Sequence, residues 1–283
     1  MNKLLRIFAN LVTRSARSRV VYTCLFGYSE RFADSEYEDD GRTDFICFTD
    51  DKSLRSKTWD FRYIDTDLLG PVRTAKMVKI LAHRFLGEYS TSLYLNNTCL
   101  LNSPISTIFD HLKDDQSPMV CFRHPERSCV YAEAEVVIKL GFDDAAVIEE
   151  QMSHYRLIGH PVDAGLIFGG VLLRDHNDAN LQSVMEQWFY QVCKYSYRDQ
   201  LSFNVVARKM AFAPNYFPGQ LDDGALVLWP VVPGGTRLPR DFRDRVYLEL
   251  HEDIRLSGMN PREHYLKHGI AEGRPYRAVP RSE

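Results

Sequence analysis

Short apolar runs of strand length alternate along this chain with longer stretches whose apolar positions recur at helical spacing. Arg19-Val20-Val21-Tyr22-Thr23-Cys24-Leu25-Phe26 is β-branched and aromatic and stops at Gly27, which predicts a first strand. Asp34 to Asp40 is acidic and closes at Gly41, so it reads as a solvated loop. Asp44-Phe45-Ile46-Cys47-Phe48-Thr49 follows as a second strand ending at Asp50-Asp51, and Trp59 to Ile64 as a short third. Pro71 opens a helix predicted to run through Leu86 to Gly87, with proline in the first turn and glycine past the end. Ser92-Leu93-Tyr94-Leu95 is a buried strand that stops at Asn96-Asn97-Thr98 and resumes as Cys99-Leu100-Leu101.

Ser103-Pro104 starts a helix from Ile105 to Leu112, and Val120-Cys121-Phe122 is a strand leading to His124-Pro125-Glu126-Arg127. Tyr131 to Leu140 and Asp144 to Tyr155 predict two helices separated by Gly141. Gly165 to Arg174 is an apolar strand or hairpin broken by glycines, and helices follow at Ala179 to Tyr195 and Asp199 to Met210. Asp178 stands where a cap of the first of these would stand. Strands alternating with helices predict an α/β fold with a mixed or mostly parallel sheet covered on both faces. Such sheets bind ligands beyond the carboxyl ends of their strands.

At Pro230, Pro233, Gly234, Gly235 and Pro239 the pattern turns linker-like. Beyond it, Val246 to Leu250 and Pro261 to Gly269 predict two short helices, with Asn260 capping the second. The chain therefore divides into a segment 1–18, a main domain 19–229, and a linker with a small helical appendix over 230–283. The appendix is too short for a core of its own, so it packs on the main domain or on a partner, a second copy or an assembly component.

Composition narrows the function classes. The chain has 283 residues, 45% apolar and 26% charged, with a formal net charge of -3, so no global field points to nucleic acid. Cys24, Cys47, Cys99, Cys121, Cys129 and Cys193 form no CxxC pair, which predicts free thiols in a reducing compartment and no zinc site. No apolar run reaches the roughly 18 to 20 residues needed to span a bilayer. Residues 1 to 19 carry Lys3, Arg6, Arg14, Arg17 and Arg19, no acidic residue, and Leu4, Leu5, Ile7, Phe8, Leu11 and Val12 at helical spacing. That pattern fits a helix on an anionic membrane surface and equally a terminal helix packed on the domain. The corresponding location is the cytoplasm, at the inner face of the membrane.

Candidate chemistry collects at the predicted strand ends. Tyr22, Thr23 and Asp50 would floor a pocket for a base and ribose, Tyr22 by stacking and Asp50 by accepting hydroxyl hydrogen bonds. Arg73, Lys76 and Lys79 recur at spacing three on one helix, either as a clamp for a diphosphate or as a solvated face; His83 continues the row. His124 and Arg127 form a turn suited to an anion or sugar hydroxyls, with Glu133 positioned to pair with Arg127. His176, in Arg174-Asp175-His176-Asn177-Asp178, is a candidate phosphate donor or metal ligand. In Arg198-Asp199-Gln200, Asp199 is either a helix N-terminal charge or a general base toward an acceptor hydroxyl. Gln200 would bind sugar hydroxyls and Arg198 a phosphate.

Together these segments resemble a known family. Val21-Tyr22-Thr23 with Phe26-Gly27, Asp44 through Asp50, Lys76-x-x-Lys79-Ile80-Leu81-x-His83, Ser92-Leu93-Tyr94-Leu95, His124-Pro125-x-Arg127-x-Cys129-Val130-Tyr131-x-Glu133-Ala134, His176-Asn177-Asp178 and Arg198 through Phe203 occur in order over about residues 19 to 215. They resemble the TOD1/MUCI70-like glycosyltransferase-like family, formerly DUF616, whose plant members are associated with pectin and mucilage biosynthesis. The segment from Val246 to Arg274 resembles a short module often joined to bacterial glycosyltransferases of surface polysaccharide synthesis. The resemblance implies a GT-A-like nucleotide-diphospho-sugar transferase fold, a UDP- or GDP-linked sugar donor, a glycan acceptor and a divalent cation, Mn²⁺ or Mg²⁺.

One position departs from the family pattern. Relatives carry an acidic metal-binding motif where this chain has Asn96-Asn97-Thr98, and neutral side chains are weak ligands for hard cations. Three readings are open. Asn96 and Thr98 share a cation with His176 or Asp199 and the donor diphosphate; or transfer is metal-independent, with Arg73, Lys76 and Lys79 neutralising the leaving group; or the copy binds glycan or nucleotide sugar as a non-catalytic scaffold.

Overall fold

The computed structural model describes residues 18–27, 32–38, 40–112, 117–232, 236–238, 242–269, 272 and 274–276. The basic segment 1–18 falls outside these, apart from its last residue. Seven strands form the central sheet: β1 (Arg19–Leu25), β2 (Thr43–Thr49), β3 (Asp60–Tyr63), β4 (Thr91–Leu95), β6 (Met119–Arg123), β7 (Ile167–Asp175) and β8 (Asn215–Tyr216). Their spatial order is β3-β2-β1-β4-β7-β6-β8. β7 runs antiparallel to both β4 and β6, and the other neighbours pair in parallel. Six strands thus end at one rim, and β7 begins there. The short β5 (Leu100–Leu101) pairs with β9 (Val227–Leu228) beside the sheet.

The period-two alternation of β1 sets its two faces. Tyr22 and Cys24 face a core with Phe48, Tyr94, Val78, Trp188 and Phe203; Val21 and Leu25 face a second core with Phe45, Leu95, Ile108, Phe109 and Val171. The first core is covered by α1 (Gly70–Ile80), α6 (Ala179–Lys194) and α7 (Phe203–Lys209), the second in part by α3 (Ile105–Asp110). This is the mixed sheet with helices on both faces that the pattern predicts. Between them in sequence lie α2 (Ala82–Phe85), α4 (Val130–Lys139) and α5 (Ala145–Leu157), the last capped by Asp144, which accepts from Ala146 N; Asp178 likewise caps α6.

Two expectations are corrected and one alternative is settled. The helix predicted from Pro71 to Leu86 ends at Ile80, and α2 follows after Leu81. The cause is Arg174, whose buried guanidinium donates to the carbonyls of Lys79 and Ile80 at 2.8 and 3.0 Å and so caps the end of α1. Of the strand and the hairpin expected at Gly165 to Arg174, the structure has the strand, with Gly169 and Gly170 inside β7. The helix expected from Asp199 is a 3₁₀ turn, Asp199–Leu201, separated from α7 by Ser202.

Beyond Trp229 a pair of two-residue antiparallel strands (β10, Val231–Val232; β11, Thr236–Arg237) leads to α8 (Asp244–Leu250), α9 (Glu252–Ser257) and α10 (Pro261–His264), the last running into a π turn over Tyr265–Gly269. The sequence pattern had two helices here; α9 is the addition. Asn260 caps α10 by accepting from Arg262 N and Glu263 N. Against the expectation of no core of its own, the segment buries Phe242, Tyr247, Ile254 and Tyr265 in a small, mostly aromatic cluster. Arg262 pairs with Asp244 of its own segment at 2.7 Å and reaches the main domain 3.9 Å from Asp222 and 5.5 Å from the centroid of the Trp229 ring. Among the described residues no helix is long and apolar enough to cross a membrane, all six cysteines are free, and five are buried.

Candidate active site

Gly27 closes β1 with φ +61°, and a Cβ there would lie 2.5 Å from Pro71 Cβ. Only glycine lets the start of α1 sit this close to the sheet's carboxyl rim. Both Asp50 oxygens lie 3.0 Å from Gly27 N, so β2 fixes the same corner. From there α1 runs back across the first face of the sheet, and its side chains, tilted toward the helix N-terminus, carry Lys76 and Lys79 toward the rim.

Their ammonium groups meet Asp199. Lys76 Nζ is 3.1 Å from Asp199 Oδ1, and Lys79 pairs with Oδ2. The Asp199 and Lys79 side chains are about 5 and 6% exposed, Lys76 20%, so only Lys76 has an open side. Lys79 also lies 5.3 Å from the centroid of the Tyr94 ring and 5.9 Å from that of Trp188. Burial pushes the Lys79 pKa down to about 8 although Asp199 opposes it. Burial pushes the Asp199 carboxyl up, but Lys76 and Lys79 outweigh it and hold it well below the usual carboxylate range. The Asp199 carbonyl accepts from Trp188 Nε1 at 2.8 Å and from Ser202 Oγ at 3.1 Å, which locks the turn onto α6.

Gly169 makes room for this triad. A Cβ on it would lie 2.9 Å from Lys79 Nζ and 3.7 Å from Asp199 Oδ2. Next to it, Gly170 O accepts from Asn96 N at 2.8 Å, so the end of β4 and the triad share the start of β7. Asn96 itself is exposed; Asn97 is buried and accepts from Ala33 N at 2.8 Å. Gln200 Nε2 donates to Ile167 O at 3.2 Å, and Asn204 Oδ1 accepts from Ile167 N at 3.2 Å.

A second cluster adjoins it at the end of β6. His124 N donates to Leu166 O, one residue before the carbonyl held by Gln200. His124 Nδ1 accepts from the backbone N–H groups of Glu126 and Arg127 at 3.2 and 3.1 Å. Arg127 lies 2.5 Å from Glu133, 2.8 Å from Glu126 and 3.2 Å from His124 Nε2. Burial, then Arg127, lowers the His124 pKa to about 3. His124 is therefore a neutral brace for the turn and a poor proton acceptor at neutral pH.

Other candidates are placed elsewhere. Tyr22, expected to stack on a base, is fully buried; its hydroxyl donates to Lys79 O at 2.7 Å and accepts from Arg174. Thr23 is also buried, and Asp50 spends its carboxylate on Gly27. Arg73 donates to Tyr195 O at 3.4 Å and lies 5.9 Å from the centroid of the Tyr197 ring, so it does not join Lys76 and Lys79 in one clamp. Arg198 lies 5.0 Å from the Phe142 ring. His83 pairs with Glu186 at 2.9 Å. His176 pairs with Ser92 Oγ at 2.7 Å, four residues before Asn96 and so roughly 13 Å away along β4; burial and Arg174 lower its pKa to about 4.

His176 stands at the opposite end of β4 from Asn96 and Thr98, and Asp199 is already neutralised by two lysines. No group of three or more His, Cys, Asp or Glu suited to a cation occurs among the described residues. The side chains at the rim do not fit a protein-held divalent cation. The sequence reading missed the Asp199 ion pairs, the Gly169 contact and the role of Asn204; of these, only the paired glycines left a signal, and they read as a strand break.

The chain was compared with known proteins. The family described as TOD1/MUCI70, glycosyltransferase-like domain, matches residues 60–220. A stretch of 154 residues is 29% identical to "Probable hexosyltransferase MUCI70" of Arabidopsis thaliana, covering 51% of this chain and 26% of the plant protein. The chain thus matches about a quarter of that relative's length. A crystal structure of mouse xyloside xylosyltransferase 1, apo form, aligns with 72% of this chain and 84% of its own at TM-score 0.40 and 12% identity. The matched segment holds the Lys76–Asp199–Lys79 triad, Asn96 and the His124 turn, and the chain belongs to the TOD1/MUCI70 glycosyltransferase-like domain family.

Proposed function

We propose that this protein transfers a sugar from a UDP- or GDP-linked donor to a glycan acceptor, a bacterial surface polysaccharide or a related chain. The observation that supports it is the Lys76–Asp199–Lys79 triad beside Asn96 at the rim. In this reading the donor diphosphate lies against Lys76, the triad's one open cation, and Asp199 acts as the internal anion that holds Lys76 and Lys79 in place. As the bond between sugar and diphosphate breaks, charge grows on the leaving oxygen, and a fixed ammonium in a partly buried site stabilises it. The Asn96 amide and Gln200 supply neutral hydrogen bonds to phosphate or sugar hydroxyls. No step passes through a protein-held cation, because the donor set does not fit one. The basic segment 1–19 would hold the enzyme at the inner membrane face.

Calorimetry with UDP- and GDP-sugars, with and without Mn²⁺, tests this reading, followed by donor hydrolysis and transfer assays. The expected result is nucleotide-sugar binding that Lys76→Ala weakens at least tenfold and that Mn²⁺ changes little. Absence of binding to either donor class rejects it. A second reading, a non-catalytic binder in a polysaccharide assembly complex, is favoured by the neutral Asn96 and by Asp199 being engaged in ion pairs. Glycan binding without any donor turnover would select it.

A further inference from the structure

Next to the rim lies a cleft of about 720 Å³ between the main domain and the C-terminal helices. Glu126 and Asp222 line it from the main domain, and Phe242, Arg243, Asp244 and Arg262 from the C-terminal segment. Neither part forms the cleft alone. Its volume lies in the range of small-molecule sites and is ample for one or two sugar rings.

The lining mixes acceptors with donors. Arg243 is exposed and has no carboxylate partner among the described residues; its guanidinium donates to the carbonyl of Phe242, its neighbour, at 3.2 Å. The Asp222 carboxylate is 38% exposed, and its nearest cation, Arg262, is 3.9 Å away and already engaged at 2.7 Å by Asp244. An open carboxylate and an open guanidinium facing one space suit a ligand that carries many hydroxyls, each able to donate and accept. Burial and then a hydrogen bond with the neighbouring Asp244 push the Glu126 carboxyl upward, against the opposing pull of Arg127 and Arg262. With Asp223 also on the wall, four carboxylates outnumber two arginines.

The cleft also reaches the rim. Glu126 pairs with Arg127 at 2.8 Å, and Arg127 lies 3.2 Å from His124 and 2.5 Å from Glu133. A ligand that displaces Glu126 from Arg127 therefore acts on the turn that is bonded, through His124 N, to the start of β7.

We infer that this cleft is the acceptor subsite, and that it takes a neutral or amine-bearing saccharide in preference to an acidic one. The inference rests on the transferase reading and adds the acceptor's charge class and the C-terminal segment's part in binding it. The full chain is titrated with three probes: cellobiose (neutral), the glucosamine disaccharide (cationic) and the galacturonic acid disaccharide (anionic). Ligand-observed NMR follows each in wild type, Asp222→Asn and Arg243→Ala. The expected result is binding of the first two, the third at least tenfold weaker, and a fivefold or greater loss in both variants. Binding of none of the probes, preference for the acidic one, or unchanged affinity in both variants overturns it. UDP and GDP titrated into the wild type separate the two levels: binding of neither rejects the transferase reading, whereas binding of either nucleotide without saccharide binding rejects only the cleft.

Discussion

Lys79 is ion-paired with Asp199 in a place where neither side chain is more than about 6% exposed. Breaking a buried pair by removing one partner leaves an uncompensated charge, typically about 3 to 5 kcal/mol. Asp199→Asn should therefore cost roughly 3 kcal/mol in urea unfolding. With Asp199 gone, burial and the cations Lys76 and Arg174 act against the charge on Lys79 with no carboxylate to oppose them, so it should lose its proton below pH 8. The same change removes an anion that competes for Lys76. UDP affinity in the folded variant is expected to hold or rise while transfer falls; a marked loss of UDP affinity with stability intact would contradict this role for Lys76.

The triad's geometry depends on a glycine, so a methyl group is enough to test it. In Gly169→Ala the new Cβ would stand 2.9 Å from Lys79 Nζ, and the ammonium must move from its carboxylate. The cost is expected near 1 to 3 kcal/mol, the usual range for overpacking, with weaker UDP binding. Gly87→Ala is the control: its Cβ would meet nothing closer than His83 O at 3.5 Å, so stability should change by less than about 0.5 kcal/mol. Equal effects from the two would show that Gly169 has no special link to the triad.

Acid sensitivity should come in part from His176. Its folded pKa of about 4 lies below the ordinary 6.5, so between those values the unfolded chain binds more protons than the native one. Stability then rises with pH across that window: full above pH 6.5, falling progressively toward pH 4. The lost contribution is about 3 kcal/mol at pH 4. His124, with a pKa of about 3, acts in the same direction. Denaturant midpoints from pH 7 to pH 4 check this. His176→Gln keeps a hydrogen-bonding partner for Ser92 and should lose part of the slope; an unaltered slope would place the sensitivity elsewhere.

How far the sequence carried the picture depends on the range of the interactions. β1, β2 and β4 were legible because their apolar runs are continuous, and the Asp144, Asp178 and Asn260 caps because capping is local. The end of α1 was not, since its cause, Arg174, lies 94 residues from Ile80. The same distance problem hid the site. Spacing put Lys76 and Lys79 on one helix face, but whether that face met water, phosphate or a carboxylate depended on Asp199, 123 residues beyond Lys76. Tyr22 went the other way: an aromatic near a strand end fits a base-stacking wall until Arg174 and the Lys79 carbonyl claim its hydroxyl.

The C-terminal helices offer the last test, because Arg262 reaches from them to the sheet domain. Arg262 is about 13% exposed; it reaches Asp244 within its own segment, and Asp222 and the Trp229 ring outside it. The three contacts differ in weight: the Asp244 bond is short, the Asp222 pair is long and partly solvated, and a cation over tryptophan contributes about 0.5 to 2 kcal/mol. Arg262→Ala should therefore loosen the docking without melting the sheet, because Phe242, Tyr247, Ile254 and Tyr265 keep their own packing. Hydrogen exchange should speed up across 242–269 while β1, β4 and β7 stay protected. Faster exchange in the central strands as well would mean that the segment is part of the main folding unit and not an element docked onto it.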